Sequence, residues 1–344
     1  MKIAVVSQNM CMRATQTSLV SKARGHSVYL VVHQEAKVRQ FDSTYDSMSY
    51  YITKDQMLCA LKELKPDLIH VHDRPHRIAF DVIGAKLGVP VVHDLHDMFS
   101  MLVPNGYHPD DSPFEDTSIK GADGLVFVTE TNKAWAEKRW GPLPPSVVVP
   151  SGVMSQFYPA IRFPLTGAGV WGGGAYVEPE ASARFYIDQR PIIQRFLSVG
   201  QPTVVYHAPA DPGVPEQYEA AGAIMGGVKN YLVMLQEYSK FEFGWYGQVT
   251  DHGQIHDTLP NKLFEYLAAG IPVVVINATT AGEFVEKHGV GIHIRRPEDI
   301  VWRKDELPEI RARCWTKRYE FTREKCCESM WPLYEKLTGV KANA

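Results

Sequence analysis

The stretch Leu259 to Val275, LPNKLFEYLAAGIPVVV, joins a helix start, an apolar helix face, a helix stop and a buried strand. Pro260 is tolerated in a first helical turn, and Asp257 or Thr258 just upstream is placed to cap the free amides there, so a helix is expected from about Asn261. Leu263, Phe264, Leu267 and Ala268 recur at i, i+3 and i+4 spacing and form the face that packs on a sheet, while Gly270 and Pro272 end the helix. Pro272 to Ile276, PVVVI, then reads as a fully buried strand of a parallel sheet. A helix N-terminus offers N–H groups and the positive end of its dipole to an anion, and Lys262 beside Asn261 adds a full charge. Glu265, one turn further in, does not favour a phosphate, but a carboxylate there can accept hydrogen bonds from both hydroxyls of a ribose. Phosphate donors at the tip and a diol acceptor behind them make a nucleotide-sized site.

With 344 residues, a net charge of −3 and 45% hydrophobic residues, the chain suggests two soluble domains and no nucleic-acid partner, since no long basic run occurs. Five cysteines, an odd number without metal-type spacing, fit reduced thiols. Met1 leads straight into a strand without a signal-peptide pattern, and no apolar run reaches the roughly 20 residues of a membrane span. A cytoplasmic protein with at most a peripheral membrane contact is expected.

In the first half, Lys2 to Ser7 and Ser27 to Val32 read as buried strands flanking a helix, the opening unit of a doubly wound α/β domain. The intervening loop lacks a dinucleotide fingerprint, which argues against a nicotinamide or flavin cofactor. Gln56 to Leu64 is helical in period, and DLIHVHD follows as a strand ending in His70, His72 and Asp73. A helix over Ile78 to Leu87 leads to VVHDLHDMF, a strand and exit loop carrying His93, Asp94, His96 and Asp97. Ligands in open α/β sheets sit beyond the carboxyl ends of the strands, so these residues are placed for chemistry. A histidine with a carboxylate can bind sugar hydroxyls or act as a base and its orienter. HDLHD also offers ligands to a divalent ion, but no third pair supports it and no D-x-D triplet occurs, so no metal is expected. Ser100 to Thr117 reads as a long loop, Gly121 to Thr129 as a strand, Asn132 to Trp140 as a helix and SVVVPSGV as the last strand of the first half.

Gly167 to Glu180, GAGVWGGGAYVEPE, restarts the pattern with a strand and a turn in which Gly172, Gly173 and Gly174 either bring amides to a phosphate or simply flex. Pro191 to Leu197 is expected helical, Pro202 to His207 a strand, Ala220 to Tyr238 partly helical and Phe241 to Gly247 a strand. Tyr206, Trp245 and Tyr246 favour core packing over stacking on a base. Gly289 to Ile294 is the last strand, and the chain is helical and charged from Leu307.

Pro260 to Val274 resembles the donor-site helix of the GT-B glycosyltransferases, in particular the retaining family 4, whose pattern runs much like P-x-K-x-x-E-Y-x-A-x-G-x-P-V-V. In that family two glutamates serve the nucleotide sugar. Glu265 matches the second, and Asp257, one methylene shorter, stands eight places earlier. His96 matches the histidine of a D-x-H-D/E segment that faces donor sugar and acceptor, with Asp97 beside it. Arg13 corresponds to an arginine before the first helix, although the usual glycine of that loop is missing. Gly173 and Gly174 match a glycine pair at the first strand of the donor domain, and Ser151-Gly152-Val153 with Phe157 and Pro159 match the segment that crosses between domains.

The resemblance implies two Rossmann-like doubly wound domains facing each other across a cleft. Residues 1–155 form the acceptor side, 156–317 bind the nucleotide sugar, and 318–344 form a helix returning to the first domain. It also implies transfer of a sugar from a nucleotide diphosphate sugar to an unidentified glycan, lipid or small-molecule hydroxyl, with retention and no further cofactor. His96, Asp257 and Lys262 are then the catalytic candidates. Glu265, the helix amides of Asn261, Leu263 and Phe264, and Gly173 and Gly174 hold the donor, while Asp97, His72 and Arg13 are acceptor-side candidates. Two other readings stay open: a nucleotide-sugar-binding protein without turnover, and a non-hydrolysing sugar-nucleotide epimerase of the same architecture.

Overall fold

A computed structural model describes residues 1–9, 11–36, 42–72, 76–102, 112–178 and 187–340. The chain forms two compact units, one of Met1–Ser151 with Arg323–Ala344 and one of Gly152–Thr322. Asp73, expected at a strand end, lies outside the described residues.

The first unit is built on seven strands: β1 (Lys2–Ser7), β2 (Ser27–His33), β3 (Ser47–Tyr51), β4 (Leu68–His72), β5 (Val91–Leu95), β6 (Gly124–Phe127) and β7 (Ser146–Val148). They pair parallel in the order β3-β2-β1-β4-β5-β6-β7. A run such as Ile3 to Val6 is buried throughout because helices cover both faces of such a sheet. The connecting helix Lys54–Leu64 starts with a capping box, Thr53 accepting from the Gln56 amide and Gln56 accepting from the Thr53 amide. The segment from Arg323 belongs to this unit: in the helix Met330–Thr338 the Tyr334 hydroxyl lies 2.6 Å from His70 Nδ1 at β4.

The second unit repeats the scheme with β8 (Gly169–Gly173), β9 (Thr203–His207), β10 (Ala223–Gly227), β11 (Phe243–Gly247), β12 (Val273–Ile276) and β13 (Gly291–Ile294), ordered β10-β9-β8-β11-β12-β13. Strand order reverses between β8 and β11, where such folds open for ligands. Those two strands pair only at Phe243 with Gly169 and Gly244 with Val170, so their carboxyl ends diverge.

Four expectations change. β3, SMSYY, has no apolar run to betray it, and as an edge strand it needs none. β10 lies inside a segment expected to be helical: the helix Val214–Ala220 stops before Gly222, whose φ of +94° suits glycine, and AIMGG becomes an edge strand. The loop expected over Ser100 to Thr117 contains the start of a helix, Ser112–Gly121, with Pro113 tolerated in its first turn. The helix Asn261–Ala268 has Pro260 at its cap position and no side-chain cap. Pro260 forces the preceding residue into an extended conformation, and Asp257 instead ends a separate short helix, Gly253–Asp257.

Gly172 has a packing reason. A Cβ there would overlap the Tyr238 hydroxyl, and its N–H donates to the Tyr266 hydroxyl at 3.0 Å. Gly172→Ala is expected to destabilise the protein by about 1–3 kcal/mol. Tyr238→Phe in the same chain should recover part of that loss, read from urea unfolding midpoints.

Candidate active site

In the second unit the helix Asn261–Ala268 runs beneath the diverging ends of β8 and β11. Leu263, Phe264, Tyr266, Leu267 and Ala268 are buried in its core face. That burial fixes the rotation of the helix and turns Asn261 to solvent, with Lys262 half-buried and Glu265 9% exposed. The Lys262 ammonium lies 4.2 Å from the centroid of the Trp171 ring on β8. It also stands 3.0 Å from where a Cβ of Gly173 would be, so Gly173 keeps open the space in front of the ammonium. At Gly174 a Cβ would overlap the Tyr176 ring.

Neither the Lys262 nor the Glu265 side chain makes a hydrogen bond among the described residues. Desolvation lowers the Lys262 pKa to about 8 against the opposing pull of Glu265. Desolvation likewise raises the Glu265 carboxyl to about 7, with Lys262 holding it down in part. A cation and a carboxylate held one turn apart, each short of solvent and of partners, form a site that gains when a ligand supplies the missing hydrogen bonds.

The other donor-side candidates divide. The side chains of Leu263 and Phe264 face the core, so only their backbone is available. The Leu263 amide already donates to the Pro260 carbonyl at 3.2 Å and is not free for a phosphate. Asp257 is partly buried, and desolvation raises its carboxyl pKa against the neighbouring charge of His256. Tyr206, Trp245 and Tyr246 are buried, as core packing requires.

In the first unit the strand-end residues converge on Asp94. Arg13 Nε donates to both its oxygens, at 2.9 and 3.0 Å, and Arg13 Nη2 donates to the Val149 carbonyl at 2.8 Å. Asp94 is pushed up by burial but held well below the usual carboxylate range by Arg13, with His96 helping. His96 Nδ1 stands 3.2 Å from Asp94 Oδ1, and its side chain is 14% exposed, so the carboxylate orients a ring that reaches the surface. Asp97 beside it is half-buried.

Arg13 and His72, expected to face an acceptor, are buried instead. Arg13 is 3% exposed with its guanidinium engaged by Asp94 and Val149, and β4, which carries His72, is buried along its whole length. A second buried group comprises His93, His76 and Glu115: His76 Nδ1 lies 3.5 Å from His93 Nε2, His76 Nε2 lies 3.3 Å from Glu115, and Glu115 accepts from the Ser100 amide at 3.0 Å. Sequence reading did not single out Trp171 or Glu115. Their partners are far away in the chain, and only the Trp in VWGGG, next to the glycine turn, was open to notice.

Residues 18–157 match the family described as Glycosyltransferase Family 4. Residues 213–326 match the one described as Glucosyltransferase 3-like, C-terminal domain. The chain is a glycosyltransferase of the GT-B fold, built from two Rossmann-like domains. Within that class it resembles the family 4 transferases in its first half and the Glucosyltransferase 3-like transferases in its second.

Among solved structures it is similar to HepE of Anabaena in complex with UDP, with a TM-score of 0.71 and 12% identity over 99% of this chain and 100% of that one. It is similar to sucrose-phosphate synthase from Thermosynechococcus elongatus, with a TM-score of 0.71 and 12% identity over 98% and 100% of the two chains. A glycosyltransferase from Rickettsia africae gives 0.69 and 10% over 98% of each. No curated protein matches the chain. Among the described residues no helix is long and apolar enough to cross a membrane.

Breaking the Arg13–Asp94 pair leaves a charge buried without its partner. Asp94→Asn should therefore cost about 3–5 kcal/mol of stability in chemical denaturation. Replacing both partners by apolar residues of similar size should cost clearly less; equal losses would show that the charge is not what matters.

Proposed function

We propose that the enzyme transfers a hexosyl group from uridine diphosphate sugar to a hydroxyl of a glycan, lipid or small-molecule acceptor, with retention and without a metal at the diphosphate. The observation that carries this reading is the Lys262–Glu265 pair, desolvated and without hydrogen bonds at the tip of a helix beside Gly173. Support for the uridine base comes from HepE and an alpha-glucosyltransferase, both solved in complex with UDP. Retention follows the resemblance to family 4. All five cysteines are free thiols, which suits the cytoplasm, where sugar nucleotides are made.

In this reading the bond from the sugar's anomeric carbon to the diphosphate breaks with its electron pair going to the phosphate oxygen, the acceptor hydroxyl oxygen forms the new bond to that carbon, and its proton passes to the departing diphosphate. Lys262 and the amides of Asn261 and Lys262 meet the charge that develops there. Glu265 accepts from the two ribose hydroxyls and so must be ionised. Asp257 binds a hydroxyl of the transferred sugar.

The two roles need opposite protonation states. Glu265 must have lost its proton, which requires a pH above about 7, and Lys262 must keep its own, which requires a pH below about 8. The kcat/KM for donor should therefore trace a narrow bell with its maximum between these values. Glu265→Gln should remove the acid limb, and a profile flat from about pH 6 to about 9 would contradict the assignment.

Lys262→Ala should lower kcat by about 100- to 1,000-fold. Its unfolding midpoint should change little, because the lysine makes no hydrogen bond that holds the fold. A thermal-shift panel of UDP, GDP, ADP and their sugars tests the base: UDP and its sugars should raise the melting temperature most, and a larger shift with GDP or ADP would refute the uridine assignment.

A further inference from the structure

The Asp94 cluster contains more nitrogen atoms than its hydrogen bonds use. His70 Nε2 and both ring nitrogens of His72 are buried and have no hydrogen-bond partner among the described residues. Buried polar atoms left bare are destabilising, so the site calls for a partner. Two of them face the same oxygen: His70 Nε2 lies 3.8 Å and His72 Nδ1 3.6 Å from Asp94 Oδ2. The three ligand atoms lie within 4.8 Å of one another.

These separations are too long for hydrogen bonds, which end near about 3.2 Å. They are also short for a shared water, whose tetrahedral partners stand about 4.6 Å apart. Two ligands of a tetrahedral metal at about 2.0–2.1 Å are separated by about 3.3–3.4 Å, within a few tenths of an ångström of what is seen.

We propose that His70, His72 and Asp94 bind one divalent cation of the zinc type, which ties β4 to β5. The donor set of two imidazoles and a carboxylate suits such an ion better than magnesium or calcium, which take oxygen ligands.

The surrounding groups act as a supporting shell. The Tyr334 hydroxyl meets His70 Nδ1 and so fixes the ring with Nε2 toward the site. Arg13 Nε sits between the two oxygens of Asp94 and keeps the carboxylate ionised, leaving the outer lone pair of Oδ2 for the ion. His96 uses the other oxygen, Oδ1. The set spans two strands and omits His93, so it is not the pairing that HDLHD suggests.

The test uses the full chain, stripped with a chelator and titrated with ZnCl2. About one equivalent should bind tightly and raise the melting temperature. X-ray absorption at the zinc edge should give two imidazoles and one carboxylate oxygen. His72→Gln should weaken zinc binding by more than about 100-fold, and Tyr334→Phe by about 10- to 100-fold. The proposal is overturned if the stripped wild type takes up no stoichiometric zinc, if uptake is unchanged in His72→Gln, or if the absorption spectrum lacks imidazole. Because the spectrum is recorded on the wild type, misfolding of a variant does not decide the matter.

Discussion

The constraint on which the functional reading depends is desolvation of two opposite charges on one short helix. Lys262 and Glu265 sit where the core face of Asn261–Ala268 forces them, one beside the Trp171 ring and one almost out of contact with water. Neither side chain has a hydrogen-bonding partner among the described residues, and burial moves both toward their neutral forms. A fold tolerates that arrangement when a ligand completes it, since a buried charge left alone is destabilising. The glycine turn serves the same end: Gly172 lets Tyr238 and Tyr266 fill the space under β8, and Gly173 leaves room before the ammonium.

The two units treat their strand-end charges differently. In the first, Asp94 is satisfied from within by Arg13 and His96, and the arginine is spread over Asp94 and the Val149 carbonyl. Little but the edge of His96 remains open there. In the second, the polar groups at the switch point stay open. The same architecture thus carries a buried hub of polar side chains in one half and a more open pair of charges in the other, and the difference lies in side chains rather than in strand order.

Much of the fold was legible because buried parallel strands are written as apolar runs, as in KIAVVS and PVVVI, and because Gly and Pro mark where helices stop. Two of the four edge strands were not legible: SMSYY and AIMGG are not apolar enough to show, whereas the edge strands Ser146–Val148 and Gly291–Ile294 kept readable apolar runs. Asp257 was misplaced as a cap because the effect of Pro260 on the residue before it outweighs the capping tendency of an acid upstream. The candidate site was half legible. Local spacing gives Asn261, Lys262 and Glu265 their common turn, but nothing local says that Arg13 meets Asp94, 81 residues away. Nor does spacing reveal that His72 lies in a strand buried from end to end, or that Tyr334 comes back from the C-terminal segment to His70.

The central claim is that the tip of Asn261–Ala268 is a diphosphate and ribose site. It is tested most directly by the crystal structure of the enzyme soaked with UDP. The account predicts density for the diphosphate within hydrogen-bonding distance of Lys262 Nζ and for the ribose hydroxyls against the Glu265 carboxylate. Nucleotide density at any other place, with Lys262 and Glu265 untouched, would contradict it.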